Sequence, residues 1–127
     1  MKKINIDNFT ITTKCLATDD NQEVVFYSQP DFAYKKRLHI YNSNNEEVGY
    51  VQYKILSIQN CNELFDASDR KIDVDDIEVV YETNDILVKE NGEVIMNIIN
   101  NDNQISVDIK EIEDKYILLL YSLIQGE

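Results

Sequence analysis

Few residues in this chain are of the kind that do chemistry. His39 is the only histidine, and it falls in an alternating, strand-like stretch. General acid/base and nucleophilic catalysis pair a nucleophile with an oriented base. No Gly-x-Ser-x-Gly, Cys-x-x-Cys, glycine-rich phosphate loop or His-x-x-x-His pair accompanies it. His39 therefore reads as an ordinary, partly buried strand residue, and no catalytic residue and no cofactor is expected. Paired carboxylates leave no local signature, so only a carboxylate-only enzyme stays open. Cys15 and Cys61 lie in strand-like contexts and read as reduced thiols, with no metal site.

Two charged stretches remain. The run Asp66, Asp69, Asp73, Asp75, Asp76 and Glu78 offers oxygen ligands, but it lacks the alternate acids, sixth-position glycine and twelfth-position glutamate of a helix-loop-helix calcium site. A solvated loop is the reading. Lys35, Lys36 and Arg37 form the basic cluster of the chain and could hold a phosphate between them. Three adjacent cations equally protect a strand edge from unwanted pairing, which is the favoured reading.

The charge is unevenly divided. Residues 1–60 carry seven Lys or Arg and seven Asp or Glu, while residues 61–127 carry five against seventeen, so the whole net charge of −12 belongs to the second half. Such a surface repels phosphate backbones, and direct nucleic-acid binding is not expected. It suits a basic partner protein instead. Asp73, Asp75, Asp76, Glu78 and Glu82 are the candidate partner-binding residues, provided they share one exposed face. A chain that docks there on a nucleic-acid-binding protein would act as an acidic mimic or inhibitor, and steering would make the encounter fast and salt-sensitive. The plain alternative is that these acids only keep the protein soluble. Tyrosines such as Tyr27, Tyr34, Tyr50, Tyr53 and Tyr81 would serve a third role, as contact area in an oligomer.

The elements that position these residues are mostly strands. A length of 127 residues and 43% hydrophobic content fit one domain with a real core. Alternation predicts strands over Phe9–Leu16, Glu23–Ser28, Lys36–Tyr41 and Val48–Ile58, with the set Gly49, Val51, Tyr53, Ile55 and Ser57 as the more apolar face of the last. Pro30 suits a loop. Residues 59–76 read as a loop with a short strand at Glu63–Phe65. Strands resume at Ile77–Thr83, Ile86–Lys89, Val94–Ile99 and Ile105–Ile109, and Asn91-Gly92 suits a tight hairpin turn. The segment Glu111–Gln125 reads as a helix apolar on every side, which must be enclosed. Its run from Tyr116 to Ile124, about 14 Å at ~1.5 Å per residue, is too short to span a bilayer. The residues Met1–Asn8 lack the apolar stretch of a secretory signal, so a cytoplasmic location is expected. The expected fold is mainly β: an antiparallel meander or barrel-like sheet enclosing a hydrophobic C-terminal α-helix, in one domain over 1–127.

This pattern resembles a known family. The order of short antiparallel strands, the segment Lys35-Lys36-Arg37-Leu38-His39-Ile40-Tyr41 with its turn Asn42–Asn45 and following Glu47-Val48-Gly49-Tyr50-Val51, and the terminal Asp114-Lys115-Tyr116-Ile117-Leu118-Leu119-Leu120-Tyr121 are similar to the tubby C-terminal-like superfamily. That superfamily includes LURP-one-related proteins, phospholipid scramblases and small bacterial members, and the Ile- and Asn-rich composition is consistent with an AT-rich bacterial genome. The resemblance implies a β-barrel around a central C-terminal helix. It also implies a non-catalytic binding module, often for phosphoinositides or other phospholipid headgroups. The chain is short for the family, which allows a smaller or incomplete barrel. The calcium-binding segment and cysteine-rich region of scramblases are not visible, so scrambling activity is not implied.

Overall fold

The computed structural model describes residues 1–34, 37–56 and 59–125, without the side chains of 54–56, 59–61 and 125. Among the described residues, ten strands form one antiparallel sheet and a single helix lies at the C-terminal end. The strands are β1 (Lys2–Asp7), β2 (Cys15–Thr18), β3 (Val24–Pro30), β4 (Arg37–Asn42), β5 (Glu47–Leu56), β6 (Gln59–Asp66), β7 (Ile77–Tyr81), β8 (Asp85–Glu90), β9 (Glu93–Asn101) and β10 (Gln104–Ile109), followed by α1 (Asp114–Gln125). They lie in the order β6-β5-β4-β3-β2-β1-β10-β9-β8-β7. Two meanders are thus joined through β1, which pairs with β10 from Lys2↔Ile109 to Asp7↔Gln104. The sheet curls without closing, because no ladder joins β6 to β7 among the described residues.

Side-chain alternation places one face of every strand inward. Ile4 and Ile6, Leu38 and Ile40, Ile86 and Val88, and Ile105, Val107 and Ile109 are all buried in one core with the helix. Shifts of register between Ala17 and Thr18, Ile40 and Tyr41, and Val88 and Lys89 mark bulges that leave Val25, Val48 and Ile95 as extra residues. A bulge bends its strand and increases local twist, which is how ten strands wrap a helix. The five consecutive residues Ile117 to Tyr121 are buried. At ~100° per residue they cover the whole circumference, so the helix is enclosed as its composition predicts.

Several boundaries differ from expectation. β1 was not anticipated, since only Ile4 and Ile6 interrupt its polar residues. The expected strand Phe9–Leu16 shrinks to its end, because Thr10–Thr13 form a loop in which the Thr12 amide donates to Thr10 Oγ1 at 3.2 Å. Pro30 is the last residue of β3, paired with Leu38, where its missing amide costs little. β6 runs for eight residues rather than three, held by the ladder from Gly49↔Asp66 to Leu56↔Gln59. On β5 both faces are covered: Gly49 and Val51 face the core as expected, the bulged Val48 joins them, and Tyr50 is buried under Phe65 on the outer face. The expected end of that strand at Ser57 and Ile58 lies outside the described residues.

Candidate functional site

The outer face of β3 to β6 carries a network centred on His39. Asp31, just after β3, builds the loop that leads into β4: its Oδ1 accepts the amides of Ala33 at 2.7 Å and Tyr34 at 2.9 Å. Its Oδ2 lies 2.5 Å from His39 Nε2. Glu47, at the start of β5, meets His39 Nδ1 with its Oε1. Both ring nitrogens are thus directed at carboxylates. Burial pulls the imidazole pKa down, but the hydrogen bonds to Asp31 and Glu47 outweigh it and raise it above its ordinary value. His39, followed by the Tyr34 and Ala33 amides, holds the Asp31 carboxyl at about 2. The arrangement is a charged clamp tying three segments together. It leaves His39 no nitrogen with which to take a proton from a substrate.

Arg37 belongs to the same network. Its guanidinium lies 4.3 Å from the Tyr34 ring centroid and 4.4 Å from that of Tyr50, while its Nε donates to Gln52 Oε1 at 2.9 Å. Tyr50 stacks on Phe65 at 4.9 Å, and Tyr27 on Tyr41 at 5.0 Å with Lys14 Nζ 4.4 Å above the Tyr27 ring. Arg37 is therefore engaged by its own sheet through its Nε and through the two rings that its guanidinium meets. Lys35 and Lys36, the other members of the expected basic cluster, lie outside the described residues. Tyr27 and Tyr50 are buried within the chain rather than offered as oligomer contacts, whereas Tyr34 and Tyr81 are exposed. Cys15 is a buried free thiol, as expected. The side chain of Cys61 lies outside the described residues.

The acidic residues lie at the other end of the sheet. Asp73, Asp75, Asp76, Glu78 and Glu82 are all exposed. They run from the turn before β7 through Glu78 on the strand to Glu82 just past its end, and the four-residue spacing of Glu78 and Glu82 keeps the two on the same side of the chain. In the approach to β7, Ile72 and Val74 turn toward the core and alternate with the exposed Asp73 and Asp75. The Asp75 amide donates to Asp73 Oδ1 at 2.8 Å, which tightens this turn. Among the described residues no group of three or more His, Cys, Asp or Glu is arranged to hold a metal ion.

Two adjoining cavities of about 350 and 360 Å³ open at the end of the sheet where Ile124 of the helix emerges. They share Asn100, Asp102, Ile105 and Ile124. One is rimmed by Tyr81, Glu82 and Asp85 and the other by Asn8, Phe9 and Thr10. No part of the sequence indicated this mouth, because its lining comes from turns far apart in the chain.

No family model and no curated protein matches the chain. Among solved structures it is similar to a protein from Arabidopsis thaliana determined by X-ray crystallography, with a TM-score of 0.61 and 12% identity over 96% of this chain and 89% of that one. What the two share is the fold. Among the described residues no helix is long and apolar enough to cross a membrane.

Proposed function

We propose that this chain is a non-catalytic interaction module that docks on a basic surface of a partner protein through the acidic strip of β7 and the turn before it. The carrying observation is the exposure of Asp73, Asp75, Asp76, Glu78 and Glu82 in one short stretch at the open end of the sheet. A partner whose cations ordinarily hold nucleic acid fits the same charge, and its occupation would make the chain an inhibitor by mimicry. The test compares capture from a host lysate by the native chain and by a variant with all five acids changed to Asn or Gln. The native chain is expected to retain one protein at about 50 mM salt and release it near 500 mM, where exposed charges are largely screened. A protein retained equally by both chains would overturn the reading.

A second reading, phospholipid headgroup binding, is supported by the resemblance to tubby-like proteins and by one observation. Phe32, in the loop held by Asp31, is 99% exposed and precedes Lys35 and Lys36 by only a few residues. An apolar tip beside cations suits an anionic lipid surface. Sedimentation with vesicles rich in phosphatidylserine, lost on Phe32→Ala, supports this reading; equal sedimentation of the two proteins excludes it.

A further inference from the structure

The sheet ends at β6 and β7, and among the described residues only β6 is met by a returning segment. Against β6 the returning chain lies close: the Ile72 amide donates to Leu64 O at 2.8 Å, and Lys71 bridges Phe65. Nothing comparable covers β7 among the described residues. The Ile77 amide turns away from β8 to Val74 O at 3.0 Å, while the Glu82 amide turns toward it, to Asp85 O at 2.8 Å. Amides alternate in direction along a strand, and the β7–β8 register runs without a bulge. Val79 and Tyr81 therefore direct their N–H and C=O groups toward the free side. Such an edge accepts an added strand.

Charge decides which strand. Two copies of β7 paired antiparallel would bring their Glu78 and Glu82 side chains together on one face, and like charges across a strand pair are destabilising. A second copy is thus disfavoured, whereas a basic segment would set its cations beside Glu78 and Glu82. Its alternate apolar residues would continue the inner face formed by Ile77 and Val79. At Tyr81 and Glu82 the edge runs into the cavity of about 350 Å³. Ile105 and Ile124 line it beside Asp85 and Asp102, which suits one long cationic side chain with its stem on the isoleucines.

The geometry points to strand addition: an extended segment of a partner protein, alternating basic and apolar residues, joins β7 and places a Lys or Arg in that cavity. This rests on the acidic-docking reading and adds backbone pairing to it. The probe is a capped peptide of alternating Lys and Val, mixed with the full chain. At saturation it should slow hydrogen exchange of the Val79 and Tyr81 amides by about tenfold or more, and a Glu/Val peptide should not. Val79→Pro removes one outward amide and keeps every carboxylate, and an edge proline spares the ladder to β8, so binding should weaken by about tenfold. Salt-sensitive binding with no protection at either amide, and equal affinity of Val79→Pro, would overturn strand addition while leaving acidic docking intact. Failure of the Lys/Val peptide to bind at all would overturn both. If Val79→Pro does not fold, the exchange experiment on the native chain decides.

Discussion

Gly49→Ala tests whether the helix and sheet meet as tightly as the structure places them. Gly49 faces the core beside the bulge of β5, with φ at +155°, where L side chains rarely settle. A Cβ there would lie 2.1 Å from Phe65 O on β6 and 2.9 Å from Leu118 Cδ1 on the helix. The carbonyl belongs to the backbone and cannot rotate aside, so β5 and β6 must separate. Backbone strain of about 1–3 kcal/mol and overpacking of about 1–3 kcal/mol together give a loss of about 2–6 kcal/mol, centred near 4. With an m-value of roughly 2 kcal/mol/M, the urea midpoint should fall by about 2 M. Leu118→Ala alone should cost about 3–5 kcal/mol through the cavity it leaves. In the double variant the Leu118 contact is gone but the Phe65 carbonyl remains, so the combined loss should fall short of the sum by only about 1 kcal/mol. Urea titration followed by circular dichroism measures all three proteins. A Gly49→Ala midpoint within about 0.3 M of the native one would refute the close approach. A double variant no less stable than Leu118→Ala alone would assign the clash to the helix, not to β6.

Other substitutions probe separate contacts. Ending the chain before Asp114 removes the buried side chains of Ile117, Leu118, Leu119, Leu120, Tyr121 and Ile124; at about 1.5–3 kcal/mol each this matches the whole stability of a small domain, and cooperative unfolding should disappear. Tyr121 is fully buried and its hydroxyl has no partner among the described residues, so Tyr121→Phe should leave the urea midpoint unchanged or raise it, where a loss beyond about 1 kcal/mol would reveal a bond to the hydroxyl. The His39 clamp gives a pH signature: the raised His39 contributes stability fully present below about 6.5 and lost as pH rises through its folded value, while Asp31 contributes above about 3.8 and loses this as pH falls toward about 2. The stability difference between the native chain and His39→Gln should therefore be largest near pH 4–6.5, and a flat difference would refute the clamp. Neutralising Glu78 and Glu82 should increase self-association in size-exclusion chromatography, because the open edge of β7 loses its repulsion.

The sequence carried the parts of the fold that depend on neighbours along the chain. The run Ile117–Tyr121 declared an enclosed helix, and Asn91-Gly92 adopts the positive φ values of 53° and 81° that its hairpin needs. What escaped depends on partners far away. β1 has only two inward isoleucines, and its place is decided by β10, about a hundred residues later. β6 is polar enough to read as loop, and β5 makes it a strand. Bulges at Val25, Val48 and Ile95 shift a face without changing composition. The His39 network lay closest to legibility: Asp31 and Glu47 flank it eight residues away on either side and reach it diagonally, since the residues level with His39 on the two neighbouring strands are Gln29 and Tyr50. That symmetric spacing was the unused signal, and it points to a clamp rather than to a catalyst.

The acidic strip has a structural duty as well as a candidate binding role, and the two follow from one pattern. The approach to β7 alternates, with Ile72, Val74, Ile77 and Val79 turned to the core while Asp73, Asp75, Asp76 and Glu78 stay in water. Its apolar half packs against the core where, among the described residues, no ladder closes β6 to β7, and Lys71 and Ile72 add a short hydrogen-bonded contact with β6. A sheet sealed in that way keeps a reactive edge, and an edge beside a neutral surface would recruit copies of itself. Carboxylates there repel a second copy and still admit a strand of opposite charge. Solubility and selective docking are thus not rival explanations of the acidity, since the charge that prevents self-pairing also sets what the edge can accept.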